Sequence, residues 1–269
     1  MRRFSAEYLE RTREGMWADG REALADLDLP NRRQVLDVGC GTGELTAVLA
    51  AETPDDATVV GADADADLLA VAREATGCPV VGGDATRLPF PDDAVDLVVC
   101  QALLINLPDP AAAVREFARV SSDRVAAIEP NNAAVTVDST VDAEPALERE
   151  ARDAYLEGVE TDVALGDRVT ACFEDAGLTD LTTRRYLHEK RTAAPYTEHQ
   201  LEAAARKASG AGLADHDVEL RRVLSDDEYD DLRRRWRAMG RDVVAEMQAG
   251  EYERVECVPF DVTVGKVSE

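Results

Sequence analysis

One stretch constrains this chain more than any other: Val35-Leu36-Asp37-Val38-Gly39-Cys40-Gly41-Thr42-Gly43-Glu44. An apolar strand pattern breaks into three alternate glycines, then into a helical pattern with Leu45, Val48 and Leu49 on one face. Glycine lets the backbone turn sharply and approach a ligand where a Cβ would collide. A chain that opens this way has a strand, a tight crossover and a helix as its first unit. Further strand runs follow at 58–63, 79–81, 95–100 and 124–129, with helical patterns between them. Asp109-Pro110 offers a capping side chain and a proline at the first helical position. Five such repeats with apolar strands predict a doubly wound α/β fold, its parallel sheet covered by helices on both faces.

The second half reads as more helical. Val169, Cys172, Phe173 and Ala176 form a stripe that Gly177 can end, and 178–188 reads as a strand. Thr197 with Gln200 and Ser225 with Glu228 fit capping boxes. The helix after Ser225 carries Tyr229, Leu232, Trp236, Met239, Val243 and Met247 on one face, and alternation at 258–264 marks a last strand. The helices at about 136–165 and 195–250 read as cap insertions over one end of the sheet. No composition break marks a boundary, so the expectation is one domain over 1–269. Within it 1–30 reads as an N-terminal helical segment, 31–135 as the half that carries the glycine turn and 136–269 as the half with the cap helices and final strands.

The glycine spacing, Gly39-x-Gly41-x-Gly43 followed by Glu44, differs from a dinucleotide fingerprint. An acidic residue at the helix start opposes a pyrophosphate, so the loop suits a ligand without phosphate, preferably one carrying positive charge. Asp63 closes the second strand 20 residues after Gly43, where a carboxylate can hold both hydroxyls of a ribose. Asp84, after the third strand, stands where an adenine amino group could be met.

These residues resemble the class I S-adenosylmethionine-dependent methyltransferases. VLDVGCGTGE is similar to that family's first motif, GAD ending at Asp63 to its second, and residues 82–110 to its adenine-contact and fourth-strand region. The resemblance implies a mostly parallel seven-stranded sheet with an antiparallel last strand at 255–266, and S-adenosylmethionine as cofactor. It implies that Asp37, Gly39, Gly41 and Gly43 line the methionine and ribose part, that Asp63 and Ala64 hold the ribose, and that Asp84 and Ala85 meet the adenine edge. Gln101 would lie near the methionine moiety. Many relatives have a histidine where this chain has Asn106.

For the acceptor side, His188 and Glu129 are the candidate bases, and Tyr8, Trp17 and Asn131 the candidate lid and acceptor contacts. Arg233, Arg234, Arg235, Arg237 and Arg241 resemble a clamp for an acidic substrate, but the aspartates before them favour a solvated face with i,i+4 pairs. The five scattered cysteines make no disulfide framework, and no His/Cys/Asp constellation predicts a metal.

Composition limits partners. The chain has 30 basic and 55 acidic residues, a net charge of −25, and only Lys190, Lys207 and Lys266 are lysines. Acidity with arginine in place of lysine suits a salt-rich cytoplasm that screens self-repulsion. Acidity ordinarily opposes a nucleic-acid partner, an argument that loses most of its force where the whole proteome is acidic; a nucleic-acid partner is still not the expectation. No apolar run exceeds five residues, so no membrane span or leader is expected. The reading is a cytoplasmic methyltransferase with a small-molecule acceptor. The alternatives are an RNA or protein methyltransferase, or a module that binds S-adenosylmethionine without turnover.

Overall fold

The computed structural model describes Ala6, Leu9, Met16, Trp17 and residues 20–268. In chain order come β1 (Gln34–Val38), α1 (Glu44–Glu52), β2 (Thr58–Asp63), α2 (Ala66–Thr76), β3 (Val80–Gly82), β4 (Val95–Gln101), α3 (Pro110–Val120) and β5 (Ser121–Pro130). Then follow β6 (Thr136–Ser139), α4 (Glu144–Gly158), α5 (Val169–Asp175) and β7 (Thr179–Thr192). Four helices, α6 (Glu198–Ser209), α7 (Ala211–Ala214), α8 (Asp217–Leu220) and α9 (Asp226–Ala249), precede β8 (Arg254–Lys266). The contacts divide the chain into two compact units. The first runs to Asn131 and adds Leu165–Tyr186 and the segment from Phe260; the second is Asn132–Ala164 with Leu187–Pro259.

In the first unit β3, β2, β1, β4 and β5 lie side by side in that order, all parallel. The C-terminal part of β8 closes the row antiparallel to β5, with Glu129 opposite Asp261 and Pro130 opposite Phe260. β7 pairs β8 in turn. The strands are apolar because helices cover them: Val98, Val125 and Ala127 meet Ala113, Val114 and Phe117 of α3 in one core whose members are fully buried. Local rules set the helix ends. Asp109 caps α3 by accepting from the Ala112 amide at 2.9 Å, with Pro110 in the first turn, and Asp65 caps α2.

The second unit is mostly helical, and α4, α8 and α9 share its core through Leu147, Ala154, Leu220, Leu232, Trp236 and Met239. Both expected capping boxes are present, at Thr197 and at Ser225. One element differs from the sequence reading. Helix was expected from about residue 136, but Thr136–Ser139 is a strand paired antiparallel with Arg254–Cys257, which makes eight strands. Four residues are too short to show a period, and their partner lies more than a hundred residues away. No described helix is long and apolar enough to cross a membrane.

Candidate cofactor site

The end of β1 and the turn after it form the centre of the first unit's site. Asp37 is buried on β1, and the Thr46 hydroxyl of α1 donates to its Oδ2 at 2.6 Å. Gly39, Gly41 and Gly43 all have left-handed backbones, φ 71°, 56° and 93°. The turn is tied to the neighbouring strand by the amides of Gly39 and Cys40, which donate to the Ala62 carbonyl at 2.7 and 3.1 Å. A Cβ on Gly39 would stand 2.8 Å from Leu103 Cδ1, and one on Gly43 would stand 2.8 Å from Thr76 Cγ2. Glu44 opens α1 and accepts from the Thr42 hydroxyl at 2.6 Å.

At the carboxyl end of β2, Asp63 Oδ2 accepts from the Gly41 amide and Oδ1 from the Asp65 amide, both at 2.9 Å. The carboxylate therefore bridges the glycine turn and the start of α2, and each oxygen keeps a further lone pair for a ligand hydroxyl. Ala64 beside it is exposed. After β3, Asp84 is exposed, and Thr86 donates to its Oδ1 from the amide at 2.8 Å and from the hydroxyl at 2.7 Å. These bonds hold the Asp84 carboxyl below its ordinary range. Ala85 is buried behind it.

Gln101, the last residue of β4, is buried and faces the N-terminal segment. Its Oε1 accepts from the Trp17 indole N–H at 3.3 Å, and its amide donates to Met16 Sδ at 2.9 Å. Tyr186 also reaches this segment, donating to the Met16 carbonyl at 3.2 Å. Trp17 is buried there; Tyr8 lies outside the described residues. Asn131, half-buried, lies against Gly166, where a Cβ would come within 3.0 Å of its amide nitrogen.

Glu129 sits where the sequence suggests an acceptor contact or a base, but its carboxylate has no exposed surface. It accepts from the amides of Leu103 at 3.0 Å, Leu104 at 2.9 Å and Ile105 at 3.3 Å, so it holds the segment that follows β4. Asn106 helps by donating to the Ala102 carbonyl at 2.9 Å, and Ala102 itself has φ 49°. Burial pushes the Glu129 carboxyl up to about 7 although the three amides favour its charged form. The sequence did not single out Leu103; only its apolar character was visible, and its contact with Gly39 depends on the fold.

His188, in the second unit, is buried, and its Nε2 has no hydrogen-bond partner among the described residues. Burial lowers the pKa of its imidazole, and the charge of Lys190 adds to the shift. The described residues hold no group of three His, Cys, Asp or Glu placed to bind a metal.

The profile of the methyltransferase-domain family matches residues 36–128, which run from β1 through β5 and include the glycine turn, Asp63, Asp84 and Gln101. Residues 36–128 are thus a methyltransferase domain. The methyltransferase domain is similar in sequence to the demethylmenaquinone methyltransferase of Lactiplantibacillus plantarum, 36% identical over 107 residues, 37% of this chain and 45% of the relative. The Bacillus licheniformis enzyme of the same name is 33% identical over 108 residues, 39% of this chain and 46% of that one. The chain thus spans under half the length of these curated relatives.

Two solved structures share the fold across nearly the whole chain. A candidate methyltransferase from Bacillus halodurans has a TM-score of 0.55 at 17% identity, covering 93% of this chain and 100% of its own. A Haloferax volcanii candidate methyltransferase, solved in complex with the Trm112 methyltransferase activator, scores 0.51 at 18% identity over 98% and 94%. A methyltransferase domain implies S-adenosylmethionine as its cofactor. The residues present fit it: a left-handed glycine turn beside Leu103, and an Asp63 carboxylate with lone pairs to spare.

Proposed function

We propose that this chain transfers the methyl group of S-adenosylmethionine to a small-molecule acceptor. The observation that carries the reading is the Asp63–Gly41 hydrogen bond within a matched methyltransferase domain, because it couples a ribose-binding carboxylate to the turn that lines the sulfonium end. Gly39, Gly41 and Gly43, with Asp37 buried behind them, would hold the methionine and ribose part. Asp63 and Ala64 would take the ribose hydroxyls, Asp84 and Ala85 the adenine edge, and Gln101 with Trp17 would close the apolar side. Bound there, the cofactor supplies an electrophilic methyl on a positively charged sulfur.

The protein's own work is then to orient the acceptor and, where the acceptor carries a proton, to receive it. The small-molecule class is supported by the relatives, which are named for methylation of demethylmenaquinone.

The test uses cofactor labelled on its methyl group, with calorimetry run in parallel. Micromolar cofactor binding, with label appearing in an extract's small-molecule fraction, is the expected result. Label in RNA or protein would replace the acceptor class. Binding without any transfer to a broad panel of small acceptors would make the chain a binding module. Absence of binding would overturn the reading altogether.

A further inference from the structure

Helix α9 carries Arg233, Arg234, Arg235, Arg237 and Arg241. Two of them are neutralised: Arg234 by Asp231, and Arg235 by Asp231 at 2.6 Å and Glu150 at 2.5 Å. The other three make no ion pair among the described residues, although Asp217 lies near enough to Arg233 to feel its charge. Arg233, Arg237 and Arg241 recur every fourth residue and so share one face of the helix. Together with Arg234 and Asp230 they line an open groove of about 280 Å³. Among the described residues none of the three has a carboxylate within ion-pairing distance.

The three stand on one helix face in a chain with 55 acidic and 30 basic residues. The groove is also built. A Cβ on Gly240 would fall 2.3 Å from the Ala208 amide nitrogen, so α9 and α6 pack backbone to backbone there. A Cβ on Gly210, the left-handed residue ending α6, would meet Arg237 Cγ at 3.0 Å and Arg233 Nε at 3.6 Å. Glycine at 210 therefore leaves room for the arginine stems. No carbonyl at that helix end takes a hydrogen bond from either guanidinium among the described residues, so the terminus does not account for them.

Guanidinium groups on successive turns stand roughly 6 Å apart along the axis, from the rise of an α-helix. Each presents a planar fork of donors suited to bidentate contact with an oxyanion. A tetrahedral phosphoryl group between two such forks accepts from both, and three forks in a row accommodate a short row of phosphoryl groups. We propose that the Arg233–Arg237–Arg241 groove is a binding site for a small molecule carrying two or more linked phosphoryl groups. The site lies wholly within the second unit and does not depend on the methyltransferase reading.

The full chain is titrated with tripolyphosphate by calorimetry at low and moderate potassium chloride. The expected result is saturable binding that weakens about tenfold for each of the three arginines replaced by glutamine, as for a charge-assisted hydrogen bond. Replacing all three by lysine keeps charge and fold but loses the fork, and is expected to give an intermediate affinity. Asp230→Asn should tighten binding, while Arg235→Gln, off the groove, should leave it unchanged. Cofactor binding should be the same in all of these variants, which separates this test from that of the proposed activity. No saturable binding by the wild-type chain, or equal binding by the triple-glutamine and wild-type chains, would overturn the proposal. So would a single-stranded oligonucleotide that binds the same arginines more tightly than tripolyphosphate, which would make the groove a nucleic-acid surface.

Discussion

Glu129 and Asp261 stand opposite each other where β5 pairs with β8, both fully buried, yet they are charge-balanced by different means. Asp261 receives a bidentate contact from Arg185, with both bonds at 2.8 Å. Among the described residues Glu129 meets no cation, and it is held by the amides of Leu103, Leu104 and Ile105. The first arrangement pairs a buried carboxylate with a guanidinium; the second leaves one that titrates near neutrality.

Glu129 should therefore make stability depend on pH in a defined direction. Its carboxyl titrates at about 7 in the folded chain and near 4.3 in an unfolded one. Between those values the folded state binds the extra proton, so stability falls as pH rises and the loss is complete above the folded pKa. The full effect is on the order of 4 kcal/mol. His188 works the other way, because its pKa is lowered on folding and its contribution grows as pH rises. Comparing wild type with Glu129→Gln isolates the glutamate. Urea midpoints at several pH values from 5 to 8 should show the wild type losing stability relative to the variant. Parallel curves would assign Glu129 an ordinary carboxylate.

Asp63→Ala should cost cofactor affinity twice over. It removes an ionised acceptor for ribose hydroxyls, and it frees the Gly41 and Asp65 amides that fix the turn. A loss of about 1–3 kcal/mol in binding is expected, with Asp63→Asn in between because one acceptor oxygen remains. Calorimetric titration of the two variants checks this, and unchanged affinity in Asp63→Ala would remove the ribose assignment.

What could be read from the sequence follows the range of each interaction. The glycine turn, the Asp109 cap and the capping boxes at Thr197 and Ser225 are legible because each is complete within a few residues. Asp63 could be placed because strand and helix lengths in a βα repeat leave little freedom in where the second strand ends. β6 was hidden, since a strand of four residues shows no period and its partner is remote. The task of Glu129 was hidden for a related reason. Its Glu-Pro pair announces the end of a strand, but the amides it binds belong to a segment about 25 residues earlier. The arginines of α9 were visible as a cluster, whereas their division into paired and unpaired sets required knowing where Glu150 and Gly210 come to lie.

Gly39 is expected to be doubly intolerant. Alanine there must adopt φ near 71° and must share space with Leu103 Cδ1. The left-handed backbone costs about 1–2 kcal/mol for a residue with a Cβ, and displacement of Leu103 adds to it. In a double-mutant cycle, Leu103→Ala should recover the packing part in the Gly39→Ala background but not the backbone part. Thermal or urea unfolding of the four proteins measures the coupling. Strict additivity would mean that the two residues do not touch.

Gln101→Leu tests how the N-terminal segment is attached. The Gln101 amide serves Trp17 and Met16 together, so leucine leaves the buried indole N–H without an acceptor. An unpaired buried donor costs about 1–3 kcal/mol, and undocking the segment relieves it. The chain has two tryptophans, Trp17 and Trp236, so the experiment is done in a Trp236→Phe background where emission reports Trp17 alone. The Gln101→Leu protein should emit at longer wavelength and be cut faster near its N-terminus by a protease. Gln101→Glu, which keeps an acceptor for the indole, should keep the shorter-wavelength emission. If Gln101→Leu emits like its parent, apolar packing holds Trp17 and the hydrogen bond is incidental; a shift reversed by added cofactor would instead tie docking of this segment to occupation of the site.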